Sequence, residues 1–212
     1  RFSPWLADLP YDVDIFENTH SNGKVQFIAN SKNNSIYQQL KNVLPSKGLK
    51  TLTIVSPYYD KTGRILSQFK RDFDLEVFNC IIDSKSGLIP TDIDEELSQK
   101  ISFFEWGDCR SDFDGMINRL HAKLFHFVYH DGLEFLYFGS ANATLAAMGD
   151  SDVPAVNDEA GLLISRNSKN NWLEELQINI PKNSIEVSKI TQRNVINSES
   201  LTRLIFEFKL IY

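Results

Sequence analysis

Hydrophobic positions in the first hundred residues alternate between two spacings, and each change of spacing marks an element. Residues 24–30 carry a short apolar run that reads as a strand. After an Asn/Ser patch, Ile36, Leu40, Val43 and Leu44 recur at helical spacing, and Pro45 with Gly48 ends that helix. The β-branched run Thr51-Leu52-Thr53-Ile54-Val55, closed by Ser56-Pro57, suits a buried strand. Helical spacing returns over 63–72, with Ile65, Leu66 and Phe69 on one face, and a nearly continuous apolar strand follows over 75–82. Thr91 is placed to cap a helix over 92–100, whose early acids suit the positive end of its dipole, and residues 101–106 read as a third core strand. Strands alternating with helices predict an α/β layered domain with a mostly parallel central sheet flanked by helices, because parallel neighbours need a crossover.

The rhythm changes further on. Residues 120–129 and 133–138 are apolar runs joined across His130-Asp131-Gly132, where Asp-Gly supplies the positive φ angles of a tight turn, and a β-hairpin is expected. Gly139-Ser140-Ala141-Asn142 closes the second strand and opens a short helix over 143–148. Asn157-Asp158-Glu159 enters another strand over 160–165. Residues 172–180 show no clear period, and 201–212 are strand-like. The expected organisation is a lead-in or inter-domain linker at 1–24, a domain at 25–166, and an extension or the start of another module at 167–212.

Composition narrows the function classes. The chain has 212 residues, 22 Lys+Arg against 28 Asp+Glu, and 42% hydrophobic residues, enough for a sizeable core. No stretch approaches the ~20 apolar residues of a membrane span. Phe2-Ser3-Pro4-Trp5-Leu6 lacks the features of a signal peptide, so the chain reads as an excerpt or a processed form. Cys80 and Cys109 sit among apolar neighbours and cannot build a disulfide scaffold, which points to a reducing, cytoplasmic compartment. A net charge of −6 argues against whole-surface binding of a polyanion, though a local basic cleft stays open.

The chemistry concentrates after residue 120. His121 and Lys123 are two apart on an expected strand, so both project to one face. A phosphodiester calls for that pair: a nitrogen nucleophile or acid at phosphorus, and a cation for the nonbridging oxygens. At average lysine usage, four histidines give roughly a one-in-four chance of one such pair, so the pair needs company. Gly139 would let a phosphate oxygen approach the backbone, Ser140 and Asn142 offer donors, and the helix start offers free N–H groups. Glu159 could orient His121 by accepting its other N–H. Tyr58 and Tyr59 close the strand at 51–55, at the edge where open α/β sheets bind ligands. Glu105, Asp108, Asp112 and Asp114 read as a solvated loop rather than a metal site.

The order His-x-Lys, turn aspartate, Gly-Ser-x-Asn and Asn-x-Glu resembles the phospholipase D superfamily of phosphodiesterases, over about residues 30–165. The resemblance implies a phospholipase D-like layered sandwich with the His-x-Lys motif on the hairpin. His121 would be nucleophile or general acid, Lys123 and Asn142 phosphate ligands, Ser140 a supporting hydrogen-bonder and Glu159 the histidine orienter, with no metal and no cofactor. The family places an Asp five residues after the Lys. Here that position is Val128, and Asp131 would serve only in an elongated hairpin. Variants lacking this Asp resemble tyrosyl-DNA phosphodiesterase.

The mechanism so implied uses two His-x-Lys motifs, but His20, His126 and His130 are not followed by Lys two residues on. The second half-site is therefore expected from a homodimer or from further sequence of the same protein. The expectation is a metal-independent phosphodiesterase acting through a phosphohistidine, with nucleic acid as the favoured substrate. The alternatives are a phospholipid or small-diester hydrolase, and a non-catalytic half-domain for dimerisation or nucleic-acid binding.

Overall fold

The computed structural model describes residues 24–110, 119–167 and 171–186. Seven strands form one sheet: β1 (Lys24–Ala29), β2 (Leu49–Val55), β3 (Val77–Ile82), β4 (Ile101–Glu105), β5 (Leu124–Tyr129), β6 (Leu133–Gly139) and β7 (Ala160–Asn167), in the order β1-β7-β6-β5-β2-β3-β4. The α/β class and the hairpin match expectation, but the sheet is mixed rather than mostly parallel. Only β2–β3 and β3–β4 pair in parallel, and the other four pairings are antiparallel. The reason is the connections: α2 (Arg64–Asp72) and α3 (Glu95–Ser98) are crossover helices, whereas the tight Asp131-Gly132 turn can join only antiparallel neighbours. β1 lies at the far edge against β7.

Period-2 alternation splits the sheet between two cores. Leu52 and Ile54 of β2, Phe78, Cys80 and Ile82 of β3, and Phe125, Phe127 and Tyr129 of β5 face one cluster, covered by α1 (Ile36–Val43) and α2. The α1 stripe Ile36, Tyr37, Leu40 is fully buried, and Ser35 begins the helix with a reciprocal capping box to Gln38. Phe69 of α2 meets the rings of Tyr37, Phe125 and Phe127 at 5.1, 5.8 and 5.9 Å. The short helix α3 begins later than expected because Asp94, not Thr91, caps it, accepting from the Leu97 amide at 2.7 Å.

The opposite face is thinner. Val55, Ile81, Phe104 and Leu120 pack there with Leu173 and Ile178 from the segment 171–186, which includes α5 (Trp172–Glu175). That segment bridges Arg110 through Ile178 and Phe103 through Ile185, so part of the expected extension lies on the domain's own sheet. A buried polar chain also lines this face. His126 Nε2 donates to Glu134 at 3.2 Å, Arg166 Nε donates to the other Glu134 oxygen at 3.0 Å, and the Arg166 guanidinium lies 4.3 Å over Trp172. The expected lead-in before Lys24, the strand-like run at 201–212, and Asp112 and Asp114 lie outside the described residues. No described helix is long and apolar enough to cross a membrane.

Candidate active site

The strand directions bring the C-terminal ends of β1, β2, β3 and β6 and the N-terminal ends of β5 and β7 to one edge of the sheet. His121 and Lys123 stand there, but on the segment leading into β5, which begins at Leu124. The hairpin ladder runs one step past the strand, since the Gly139 amide donates to the Lys123 carbonyl at 3.3 Å. Lys123 is 8% exposed, and its ammonium donates to the His121 carbonyl at 2.8 Å and to His121 Nδ1 at 3.2 Å. The two side chains meet as expected, although no strand pleat aligns them. Burial lowers the lysine's pKa against the pull of the Glu159 carboxylate. While Lys123 is charged, Nδ1 is an acceptor and the imidazole proton sits on Nε2.

Asn142 lies on the turn between β6 and the short helix α4 (Leu145–Met148). Its Oδ1 is buried and has no hydrogen-bond partner among the described residues. The turn is held from the end of β2: the Ala143 amide donates to Ser56 Oγ at 3.1 Å, and the Leu145 amide donates to both Asp60 oxygens at 2.9 Å. Asp60 is raised above the ordinary carboxylate value by burial, against the Leu145 and Ile65 amide donors.

Several expected contributors have other duties. The α4 amides expected to receive an anion are taken, Leu145 N by Asp60 and Ala147 N by the Thr144 cap. Ser140 Oγ accepts from the Ala160 amide at 3.1 Å and closes the β6–β7 ladder. Gly139 is a packing glycine: a Cβ there would strike the Ala160 carbonyl and lie 2.6 Å from Gly161 Cα. Tyr59 is 3% exposed and its hydroxyl donates to the Ile81 and Ile54 carbonyls at 2.9 and 3.2 Å, so it belongs to the core and not to a cleft wall. Tyr58 is half-buried beside it. Asp131 binds the Leu133 amide in the hairpin turn, at the opposite end of β5 and so about 17 Å from the motif at strand rise, too far to act there. Glu159 Oε1 accepts from Asn157 Nδ2 at 3.2 Å and makes no bond to His121.

Residues the sequence reading passed over hold the frame. Asp83, directly after β3, accepts from the Leu120 amide at 3.2 Å. Asn30, after β1, donates to the Ala147 and Asn157 carbonyls at 2.7 and 2.9 Å and so ties α4 to the Glu159 loop. Polar residues placed directly after apolar strands were the available signal. A shallow polar groove along α1, lined by Asn33, Asn34, Gln38, Lys41, Asn42 and Ser151, shares no residue with this cluster. Among the described residues no group of three His, Cys, Asp or Glu could hold a metal ion.

No family model matches this chain, and no curated protein does. Among solved structures it is similar to yeast tyrosyl-DNA phosphodiesterase, at 18% identity and a TM-score of 0.44, over 66% of this chain and 31% of that one. It is similar to Nuc, a phospholipase D family member from Salmonella typhimurium, at 17% identity and 0.43, over 73% and 89%. NucT from Helicobacter pylori matches at 15% identity and 0.35, over 67% and 85%. The chain thus spans about a third of the tyrosyl-DNA phosphodiesterase. Likeness at these levels assigns neither activity nor substrate.

Proposed function

We propose that this chain is a metal-independent phosphodiesterase domain whose reacting group is His121, with nucleic acid as the favoured substrate. The observation that carries the reading is Lys123: a buried ammonium whose described partners are a carbonyl and an imidazole, with no described carboxylate in ion-pair contact. A buried cation is costly without a counter-ion, and a phosphate oxygen would supply one. Asn142, whose buried oxygen has no partner among the described residues and whose amide can donate, and His121 stand at the same sheet edge. The preference for nucleic acid rests on the motif resemblance alone.

The resting tautomer shapes the mechanism. With Lys123 on Nδ1, the His121 proton is on Nε2, which is an acid and not a nucleophile. An arriving phosphodiester draws the Lys123 donors onto its nonbridging oxygens and frees Nδ1 to carry the proton. Nε2 then attacks phosphorus, the bond to the leaving oxygen breaks as an acid protonates it, and water later cleaves the phosphohistidine. Glu159 can accept the Nδ1 proton's hydrogen bond if its contact with Asn157 opens. The acid for the leaving oxygen comes from a second His-x-Lys motif, in a partner copy or elsewhere in a longer chain.

The test is hydrolysis of an aryl phosphodiester with and without EDTA, together with solution mass by light scattering. Wild-type activity that survives EDTA and is lost in His121→Ala, with the substrate's phosphoryl group trapped on His121 after alkaline quench, supports the reading. Activity unchanged in His121→Ala, or dependent on added magnesium, overturns it.

A further inference from the structure

His121 lies outside the regular ladder, so something other than strand pairing must fix its backbone. Three contacts do so. The Leu120 side chain is buried in the second core, the Lys123 ammonium grips the His121 carbonyl, and the Leu120 amide donates to Asp83 Oδ2 at 3.2 Å. The last is a directed hydrogen bond to a residue 37 positions away.

Asp83 is built for such a task. It is 6% exposed, and four donors converge on its carboxylate. The Lys85 and Ser86 amides bind Oδ1 at 3.1 and 3.0 Å, while Ser86 Oγ and the Leu120 amide share Oδ2. Burial works against its ionisation, but these donors outweigh it and hold the group below the ordinary carboxylate value. The loop beneath is fixed as well. The Gly87 amide donates to the Asp83 carbonyl at 2.8 Å and the Leu88 amide to the Pro57 carbonyl at 2.9 Å, and a Cβ at Gly87 would strike Pro57 O. One Asp83 oxygen thus organises its own loop, and the other holds the residue before His121.

We propose that Asp83 is a positioning residue for His121, setting the place of the imidazole through the Leu120 amide. The proposal rests on His121 being the reacting group, and its test separates the two claims. Asp83→Asn keeps one oxygen for the loop amides and turns an NH2 toward the Leu120 N–H, so it breaks that bond, while the Ser86 hydroxyl at the same position can turn to accept from the NH2. Ser86→Ala removes a neighbouring donor to the same Oδ2 and leaves the Leu120 bond, so it serves as the control. The first readout needs no turnover: the rate of diethyl pyrocarbonate modification at each histidine, mapped by mass spectrometry. The expected result is a change of about threefold or more at His121 in Asp83→Asn, with His130 unchanged and both rates unchanged in Ser86→Ala. In steady-state assays kcat falls about tenfold or more with KM little altered, as displacement of a reacting group predicts.

Equal His121 reactivity in wild type and Asp83→Asn overturns the positioning role, whatever the activity. A shifted reactivity in a protein that hydrolyses no phosphodiester leaves the positioning role standing and removes the proposed function instead. Should Asp83→Asn unfold, hydrogen exchange in the wild type decides: a Leu120 amide as protected as those of β5 supports the bond, and one exchanging like an exposed loop amide refutes it.

Discussion

A single methyl group at Gly139 tests how the floor of the site is built. The Cβ of Gly139→Ala would meet the Ala160 carbonyl, Gly161 Cα at 2.6 Å and the Tyr137 hydroxyl at 2.9 Å. Carbon atoms reach their best separation at about 3.5–4.0 Å, so β6 and β7 would have to part by on the order of 1 Å. They are joined at that point by the Ser140 amide to the Ala160 carbonyl at 2.9 Å and by the Ala160 amide to Ser140 Oγ at 3.1 Å. Overpacking of this kind costs about 1–3 kcal/mol, while replacing glycine within a strand returns about 0.5–1 kcal/mol of chain entropy. The steric term wins by about 0.5–2 kcal/mol, which at 2–4 °C per kcal/mol lowers Tm by roughly 1–8 °C. Differential scanning calorimetry of the two proteins measures it. A Tm equal to or above wild type would refute the close β6–β7 approach. So would full recovery on adding Tyr137→Phe, because two of the three contacts are with backbone.

Three further outcomes follow from the geometry. Tyr59→Phe strips two carbonyls of a donor and should cost about 1–2 kcal/mol in urea denaturation while leaving turnover unchanged; loss of turnover without loss of stability would return Tyr59 to the cleft. Lys123→Met should lower turnover by about 10²–10³-fold without lowering Tm, since it removes a buried cation with no carboxylate in ion-pair contact among the described residues; a large fall in Tm with intact turnover would make Lys123 structural. Burial opposes ionisation of Glu134, but His126 and Arg166 hold its carboxyl below the ordinary 4.5. Its contribution is therefore present above that value and lost as pH falls through the folded one. Glu134→Gln should flatten the fall of the urea midpoint below about pH 4.5, and equal slopes in both proteins would contradict the depressed value.

Much of this fold can be read along the chain, and what escapes reading has a common cause. The seven strands and the α1 and α2 helices follow from local patterns such as Ile36-Leu40 and Thr51–Val55, because period and capping are local properties. Strand order is not local: nothing near Lys24 reveals that β1 pairs with β7 and not with β2. The same division runs through the site. His121, Lys123 and Asn142 are legible because their spacing is a motif. The duties of Gly139, Ser140 and Tyr59 depend on Gly161, Ala160 and Ile81, which are brought up by other strands. Asp131 failed for a plain metric reason, since a hairpin carries its turn away from its base.

The pairing of β1 with β7 also governs how the molecule comes into being. Lys24 aligns with Ser165 and Ala29 with Ala160, so the first described strand must wait for the last described one. At about 5–20 residues per second, a ribosome needs roughly 7–30 s to make the intervening chain. For that interval β1 has no lasting neighbour, while β2, β3 and β4 can already associate through their helices. β2 then shows an open edge until the hairpin arrives to cover it. The nascent chain is thus most exposed to misassociation just before the segment bearing His121 and Lys123 emerges, and assembly of the site coincides with closure of the sheet.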